Sequence, residues 1–223
     1  MNSYLTTFFI GVFLLFSTIL PATKELWADI DMWFFYLTNP YLANETIGTF
    51  VSLLNSRLGD WISHLSLSAI LVSSIPRRKE AIYSLLGMVI FVALTQFLVN
   101  YCIFKAALNF LKDSPSLLTD HFVNIEKLYP FPNNHSTTVR SFPGDHSTTV
   151  FVCSAWILMK AGRKVLSPIL TLALFFSLPR IVAGAHGLSD VIAGAGAITL
   201  ILLPLIHLSQ RYISKLSYEK SLG

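Results

Sequence analysis

Ala81-Ile-Tyr-Ser-Leu-Leu-Gly-Met-Val-Ile-Phe-Val-Ala-Leu-Thr-Gln-Phe-Leu-Val-Asn-Tyr-Cys-Ile-Phe104 contains no Asp, Glu, Lys or Arg. Wound as an α-helix, such a run is long enough to cross the hydrocarbon of a bilayer. Five further apolar runs, at 4–21, 48–75, 147–161, 164–182 and 188–210, extend the same reading. The sequence therefore predicts an all-α integral membrane protein, a six-transmembrane helix bundle forming one membrane-embedded domain over 1–223. Composition agrees: 53% of the residues are hydrophobic, 13% are charged, and the mean hydropathy is +0.61. Met1 to Tyr4 carry no Lys or Arg and no small-residue cleavage site follows Pro21, so the first run reads as an uncleaved span.

Working outward from the spans, Trp27 to Tyr36 is rich in Trp and Tyr and reads as an interfacial amphipathic helix between spans one and two. The long connection, about 105–146, joins spans three and four and carries Pro115, Pro130, Pro132 and Pro143. Loops of that length are more often functional than idle. Arg77, Arg78, Lys79, Lys160, Arg163, Lys164, Arg211, Lys215 and Lys220 fall on one side of the predicted spans, nine of the sixteen cations. The positive-inside rule makes that side cytoplasmic and the long loop extracytoplasmic. Lys24, Lys105, Lys112, Lys127, Arg140 and Arg180 fall on the other side, and Arg57 lies within span two. The cations are spaced between apolar runs, so the net charge of +4 does not indicate nucleic acid. Cys102 and Cys153 sit inside apolar runs as packing residues, and neither a disulfide framework, a metal site nor a cofactor is implied.

Two short segments carry the chemistry: Ser141-Phe142-Pro143-Gly144-Asp145-His146, and Arg180 followed by His186 and Asp190. Ionisable groups beside apolar spans are costly and therefore usually functional. The predicted topology gathers Lys105, Lys112, His146, Arg180, His186 and Asp190 at the outer face. Transfer of a phosphoryl group needs positive charge on the non-bridging oxygens, an in-line nucleophile and an acid for the leaving oxygen. Arg180, Lys105 and Lys112 supply charge. Gly144 permits close backbone approach, and span four, which starts just after His146, turns its free N–H groups toward an anion. Asp145 is either a substrate contact or a cap of span four. One imidazole can attack phosphorus if a carboxylate holds its other nitrogen, and Asp190 lies one helical turn from His186. The other imidazole is then the acid.

These motifs resemble the type-2 phosphatidic acid phosphatase superfamily. Lys105, six residues, then Lys112-Asp113 is similar to its first motif, with Lys112 where the family has Arg. Pro143-Gly144-Asp145-His146 is similar to its second, with Gly-Asp for Ser-Gly. Ser177-Leu178-Pro179-Arg180 with His186 and Asp190 is similar to its third, with Pro179 for Ser. The resemblance implies that His186 is a nucleophile forming a phosphohistidine and that Asp190 orients it. It implies that His146 is the leaving-group acid and that Lys105, Lys112 and Arg180 bind phosphate. Phe142 to His146, Ser177 to His186, Asn55 to Asp60 and Asp31 to Phe35 resemble the branch that handles lipid A and undecaprenyl diphosphate in the bacterial inner membrane, with its site facing the periplasm.

The implied partner is a membrane lipid phosphate or diphosphate, with no obligate protein partner. Undecaprenyl diphosphate phosphatase and lipid A 1-phosphatase chemistry use the same residues with water as acceptor. A transporter of anionic lipid is the alternative of another class, and it predicts charges at mid-span instead of at one face. Arg57, Asp60 and His64 share helical spacing, so Arg57 and Asp60 are candidates to line a headgroup cavity, against a structural ion pair. His121, His135 and His207 read as solvent or interface histidines. Asn44-Glu45-Thr46 and Asn134-His135-Ser136 match glycosylation sequons.

Overall fold

The computed structural model describes residues 2–222 except 130, 132, 133 and 135, with side chains from Ser3 to Lys215. The expectations placed on Pro130, Pro132, His135 and the side chain of Lys220 lie outside the described residues. No strand occurs among them; the chain is helical throughout, apart from loops and one isolated bridge between Lys112 and Arg140.

Helix α1 (Asn2–Ser17) bends by 83° into α2 (Pro21–Thr38). Pro21 opens the second helix, where its missing N–H costs nothing. After a tight turn over Asn39–Ala43, α3 (Glu45–Asn55) is capped by Asn44, whose Oδ1 accepts the N–H groups of Thr46 and Ile47 at 3.1 and 3.2 Å. The predicted span 48–75 is therefore not one helix. Ser56 takes extended backbone (φ −85°, ψ 171°), its hydroxyl donates to the Leu53 carbonyl and accepts from the Leu58 N–H, and α4 (Arg57–Ser73) starts anew. Local side-chain bonding by Ser competes with helix continuation, which hydropathy does not register. The elbow is tight: a Cβ on Gly59 would stand 2.1 Å from the Leu54 carbonyl oxygen.

Helix α5 (Arg78–Thr95) continues into a π-wound segment, Gln96–Ala107. The loop beyond holds a short turn at Pro115–Leu117 and α6 (Ile125–Leu128), so the connection runs over 108–144 instead of the expected 105–146. Helices α7 (Asp145–Ala161) and α8 (Leu166–Val182) are followed by a π-wound segment, Asp190–Gly196, and α9 (Ala197–Leu222).

Side-chain contacts give the directions. His146 at the start of α7 and Arg180 near the end of α8 both touch Asp60, so the two helices run back to back around Gly162, whose φ is +75°. At the opposite end Lys160 joins Glu80 at 2.6 Å and Ser214 at 2.9 Å, bringing together α5, α7 and α9. Tyr4 meets His207 at 3.1 Å, which lays α1 antiparallel to α9 and gives that histidine a partner inside the bundle. The core between them is built on Leu67, Leu71, Val152, Trp156, Ile157 and Ile206. The Trp156 indole donates to Ser84 at 3.2 Å, so its polar atom is not stranded.

The outer surface is apolar. Phe13, Leu65, Trp61 and Leu174 are 71%, 66%, 62% and 60% exposed. Faces of this kind suit lipid and not water. Three helical stretches, Arg78–Ala107, Asp145–Val182 and Asp190–Lys215, are long and apolar enough to cross a membrane, and the bent pair Ser3–Ser17 with Pro21–Ala43 adds a fourth. The second stretch is the folded-back α7 and α8. The protein is a helical membrane protein, and the charges expected to act lie at one end of it.

Candidate active site

The two expected segments meet at the ends of helices. Arg180 closes α8; the chain then turns through Gly184 (φ +82°), and the N–H groups of Ala185 and His186 return to the Arg180 carbonyl. Phe35 and Ser116 pack where a Gly184 Cβ would stand, at 2.5 and 2.9 Å, so only glycine fits both the angle and the space. This places His186 buried beside the loop that precedes α7, and its Nδ1 hydrogen-bonds the Ser141 carbonyl at 2.7 Å. A carbonyl only accepts, so Nδ1 carries the proton and Nε2 is left for a substrate. Ser141 is itself fixed, its N–H and hydroxyl both donating to the Lys112 carbonyl at 3.0 and 2.9 Å.

Asp190 stands beside His186 as its (i,i+4) ion-pair partner. Its Oδ2 lies 3.7 Å from His186 Nδ1 and accepts the Gly187 N–H at 2.8 Å. Its Oδ1 accepts from Lys112 at 2.5 Å. The four-residue spacing assumed one continuous α-turn, but His186 and Gly187 lie in the loop before the helix that Leu188 opens and that becomes π-wound at Asp190. Lys112 also donates to Asp31 at 2.8 Å and to the Ser189 hydroxyl. Asp31 in turn accepts the Ser189 N–H at 2.8 Å and its hydroxyl at 2.6 Å. Burial works against the Lys112 ammonium, yet Asp190 and then Asp31 outweigh it and hold the amine above the ordinary lysine range. Asp31 is the residue that sequence reasoning missed. An acid in an apparently interfacial helix gave no sign of being 4% exposed, and the signal was Gly187, where a Cβ would lie 2.3 Å from the Asp31 carboxylate.

His146 also has a carboxylate neighbour, one that lies far from it in the sequence. Its Nδ1 meets Asp60 Oδ1 at 2.9 Å, and the same oxygen accepts from Arg180 Nη2 at 2.8 Å. Asp60 is thus drawn into the cluster, whereas Arg57, exposed at the first residue of α4, is not. His186 lies within electrostatic reach of His146, and Asp145 within reach of Arg180.

Lys105 bonds Asp145 Oδ2 at 2.6 Å, and Asn100 bonds its Oδ1 at 3.1 Å. Gln96 donates to the Asp145 carbonyl at 2.8 Å. Gln96 and Lys105 are nine residues apart, two and a half turns of α-helix but close to two turns of the wider π winding. The π segment therefore points both at one residue, where an α-helix would turn them to opposite sides. Asp145 does not cap α7; Gly144 occupies that position without a side chain. Gly144 has ordinary φ (−65°), and its N–H donates to the Asp190 carbonyl at 3.2 Å. The amides of the following first turn precede the first intrahelical bond, Thr148 to Gly144, at the end of α7 that carries His146.

Each expected cation is already matched. Lys105, Lys112 and Arg180 face Asp31, Asp60, Asp145 and Asp190, three charges against four. An entering phosphate gains from the donors left over on Arg180, from the α7 amides and from any proton carried by the histidines. Two imidazoles with ordered Nδ1 atoms beside an anion-binding helix end can pass a phosphoryl group and a proton.

Comparison with known proteins agrees with this chemistry. A family model described as PAP2 superfamily matches residues 80–213. Lipid A 1-diphosphate synthase of Escherichia coli (strain K12) is 28% identical over 222 residues, covering 96% of this chain and 90% of that protein. No solved structure matches the chain.

Proposed function

Since the chain belongs to the PAP2 superfamily, we propose that it is a lipid phosphotransferase working through a phosphohistidine on undecaprenyl diphosphate, with lipid A as acceptor. The observation that carries this reading is the holding of both imidazoles through Nδ1, His186 by Ser141 and His146 by Asp60. Nε2 of His186 attacks the terminal phosphorus as the P–O bond to the departing undecaprenyl phosphate breaks. Nε2 of His146 gives its proton to that oxygen, then takes one from the acceptor hydroxyl or phosphate as the P–N bond breaks. Arg180 and the α7 amides hold the non-bridging oxygens, and Lys105 adds charge through Asp145's neighbourhood. Lys112 is assigned to fixing Asp190 instead of touching phosphate. The near-complete overlap with lipid A 1-diphosphate synthase supports lipid A as acceptor over water.

In this reading the chain is one domain that crosses the bacterial inner membrane six times, with α1, α4, α5, α7, α8 and α9 as spans. Arg77 to Lys79, Lys160 and Lys164 mark the cytoplasmic end and the site faces the periplasm. Purified protein given undecaprenyl diphosphate is expected to transfer phosphate to lipid A in EDTA and to stop in vanadate. Inorganic phosphate release unchanged by lipid A would assign water as the acceptor; dependence on added Mg²⁺ would reject the phosphohistidine route. In a background free of Cys102, His121→Cys is expected to react with an impermeant thiol reagent in spheroplasts and Arg78→Cys is not; the reverse pattern overturns the sidedness.

A further inference from the structure

Asp60 lies outside all three motifs, yet it is the residue that joins two of them. We infer that Asp60 is the positioning residue of His146: its carboxylate fixes the ring through Nδ1 and so presents Nε2 to the leaving oxygen. This rests on the phosphohistidine reading and goes beyond it, because nothing in the motif pattern supplies the second histidine with a carboxylate.

The geometry is built for the task. The Ser56 cap and the Gly59 contact force the α3–α4 elbow to turn sharply, which sets Asp60 in the first turn of α4 pointing at the start of α7. Asp60's backbone carbonyl accepts from His64 Nδ1 at 2.5 Å, so the turn is held from outside as well. One carboxylate oxygen then receives His146 Nδ1 at 2.9 Å and Arg180 Nη2 at 2.8 Å. The two donors come from different helices, so the shared oxygen sets the separation between the phosphate-binding guanidinium and the acid. Leu54, Ser63, His64, Val150 and Phe176 line the small cavity that Asp60 and His146 share. The groups facing His146 are Asp60 from α4, Arg180 from α8 and His186 from the loop after it.

The chemistry balances without a further reagent. The His146 imidazolium passes its Nε2–H to the leaving oxygen while the Nδ1–H stays on the ring, hydrogen-bonded to Asp60, and the next proton enters at Nε2. Without Asp60 the ring is free to rotate and to exchange tautomers, and the acid is aimed only part of the time.

The test uses the full-length purified protein with two phosphate donors, undecaprenyl diphosphate and 4-nitrophenyl phosphate, whose leaving group needs little protonation. Asp60→Ala is expected to lower kcat on the lipid about 100-fold, within the range of general-acid contributions, and on the aryl ester less than about fivefold. In a His146→Ala background the same change is expected to cost less than about threefold more, since there is no ring left to aim. Asp60→Asn, which keeps an oxygen for Nδ1, is expected to recover part of the lipid rate and covers the case in which the alanine variant does not fold. Equal losses on both donors, or a full further loss without His146, would overturn the proposal and leave Asp60 as an Arg180 partner only. Trapping of labelled phosphate on wild-type protein separates the layers: no covalent phosphate sinks the parent reading and this one together, whereas trapping with no donor-dependent split sinks this one alone.

Discussion

His186 and His146 are held at the same atom by opposite means. His186 Nδ1 is bound by a neutral backbone carbonyl, and the nearby Asp190 is occupied by Lys112 and Gly187. His146 Nδ1 is bound by a carboxylate that also holds a guanidinium. In the proposed mechanism the attacking ring is fixed by the loop, while Asp190 stands 3.7 Å behind it and holds that loop through Lys112 and Gly187. A ring that must give up and regain a proton works better against a group that tolerates its charge. The difference teaches that what holds a histidine is read from the backbone around it as well as from the nearest acid in the sequence.

Removing each ring tests the two roles most directly. His186→Ala is expected to abolish turnover and covalent phosphate on every donor; residual labelled protein would move the nucleophile elsewhere. His146→Ala is expected to slow the lipid donor by about 10²–10⁴ and to spare an activated aryl phosphate. If it loses both donors while His186→Ala still traps phosphate, the two roles are reversed.

Smaller effects sharpen the His186 side. Asp31→Ala removes a buried partner of Lys112 and orphans the Ser189 N–H, and is expected to cost about 2–4 kcal/mol in stability. Thermal unfolding in detergent measures it, and His146-dependent donor selectivity should survive in the folded fraction. Gly187→Ala pushes a methyl group into the Asp31 carboxylate and is expected to cost about 1–3 kcal/mol by the same assay. The least effect concerns pH. The Lys112 amine lies above its ordinary 10.5 in the folded protein, so its contribution is complete below that pH and is lost as pH rises through the elevated value. Unfolding temperature should show no Lys112-dependent change from about pH 7 to 9, and Lys112→Met should flatten the fall at stronger alkali.

Much of this was legible in the chain, and the failures share a cause. The apolar runs announced the helices, and the spacing of Arg180, His186 and Asp190 announced the cluster, because both are periodic or local signals. The break at Ser56 was hidden because a serine inside an apolar run lowers hydropathy too little to register. Asp31 was hidden because its partner Ser189 lies 158 residues away, and Asp60, a candidate from its helical spacing, gave no sign of pairing with His146, 86 residues on, since no local pattern records such pairing. Gln96 and Asn100 looked like ordinary polar insertions in a span, since an α-period does not align them with Lys105.

That last alignment makes chain length a functional variable. Tyr101 lies within the π-wound segment, 58% exposed, with its ring stacked on Phe97. Replacing it with Leu should be silent in transfer assays. Deleting it keeps every residue that meets Asp145 but rotates Lys105 by one residue's turn, roughly 80–100°, relative to Gln96. The ammonium then faces acyl chains and Asp145 loses its ion pair, which transfer rate and amine labelling of Lys105 would both report. A frame-preserving loss of one codon on the lipid-facing helix is expected to be as damaging as a substitution in the site, and an equally active deletion variant would show that the winding carries no such constraint.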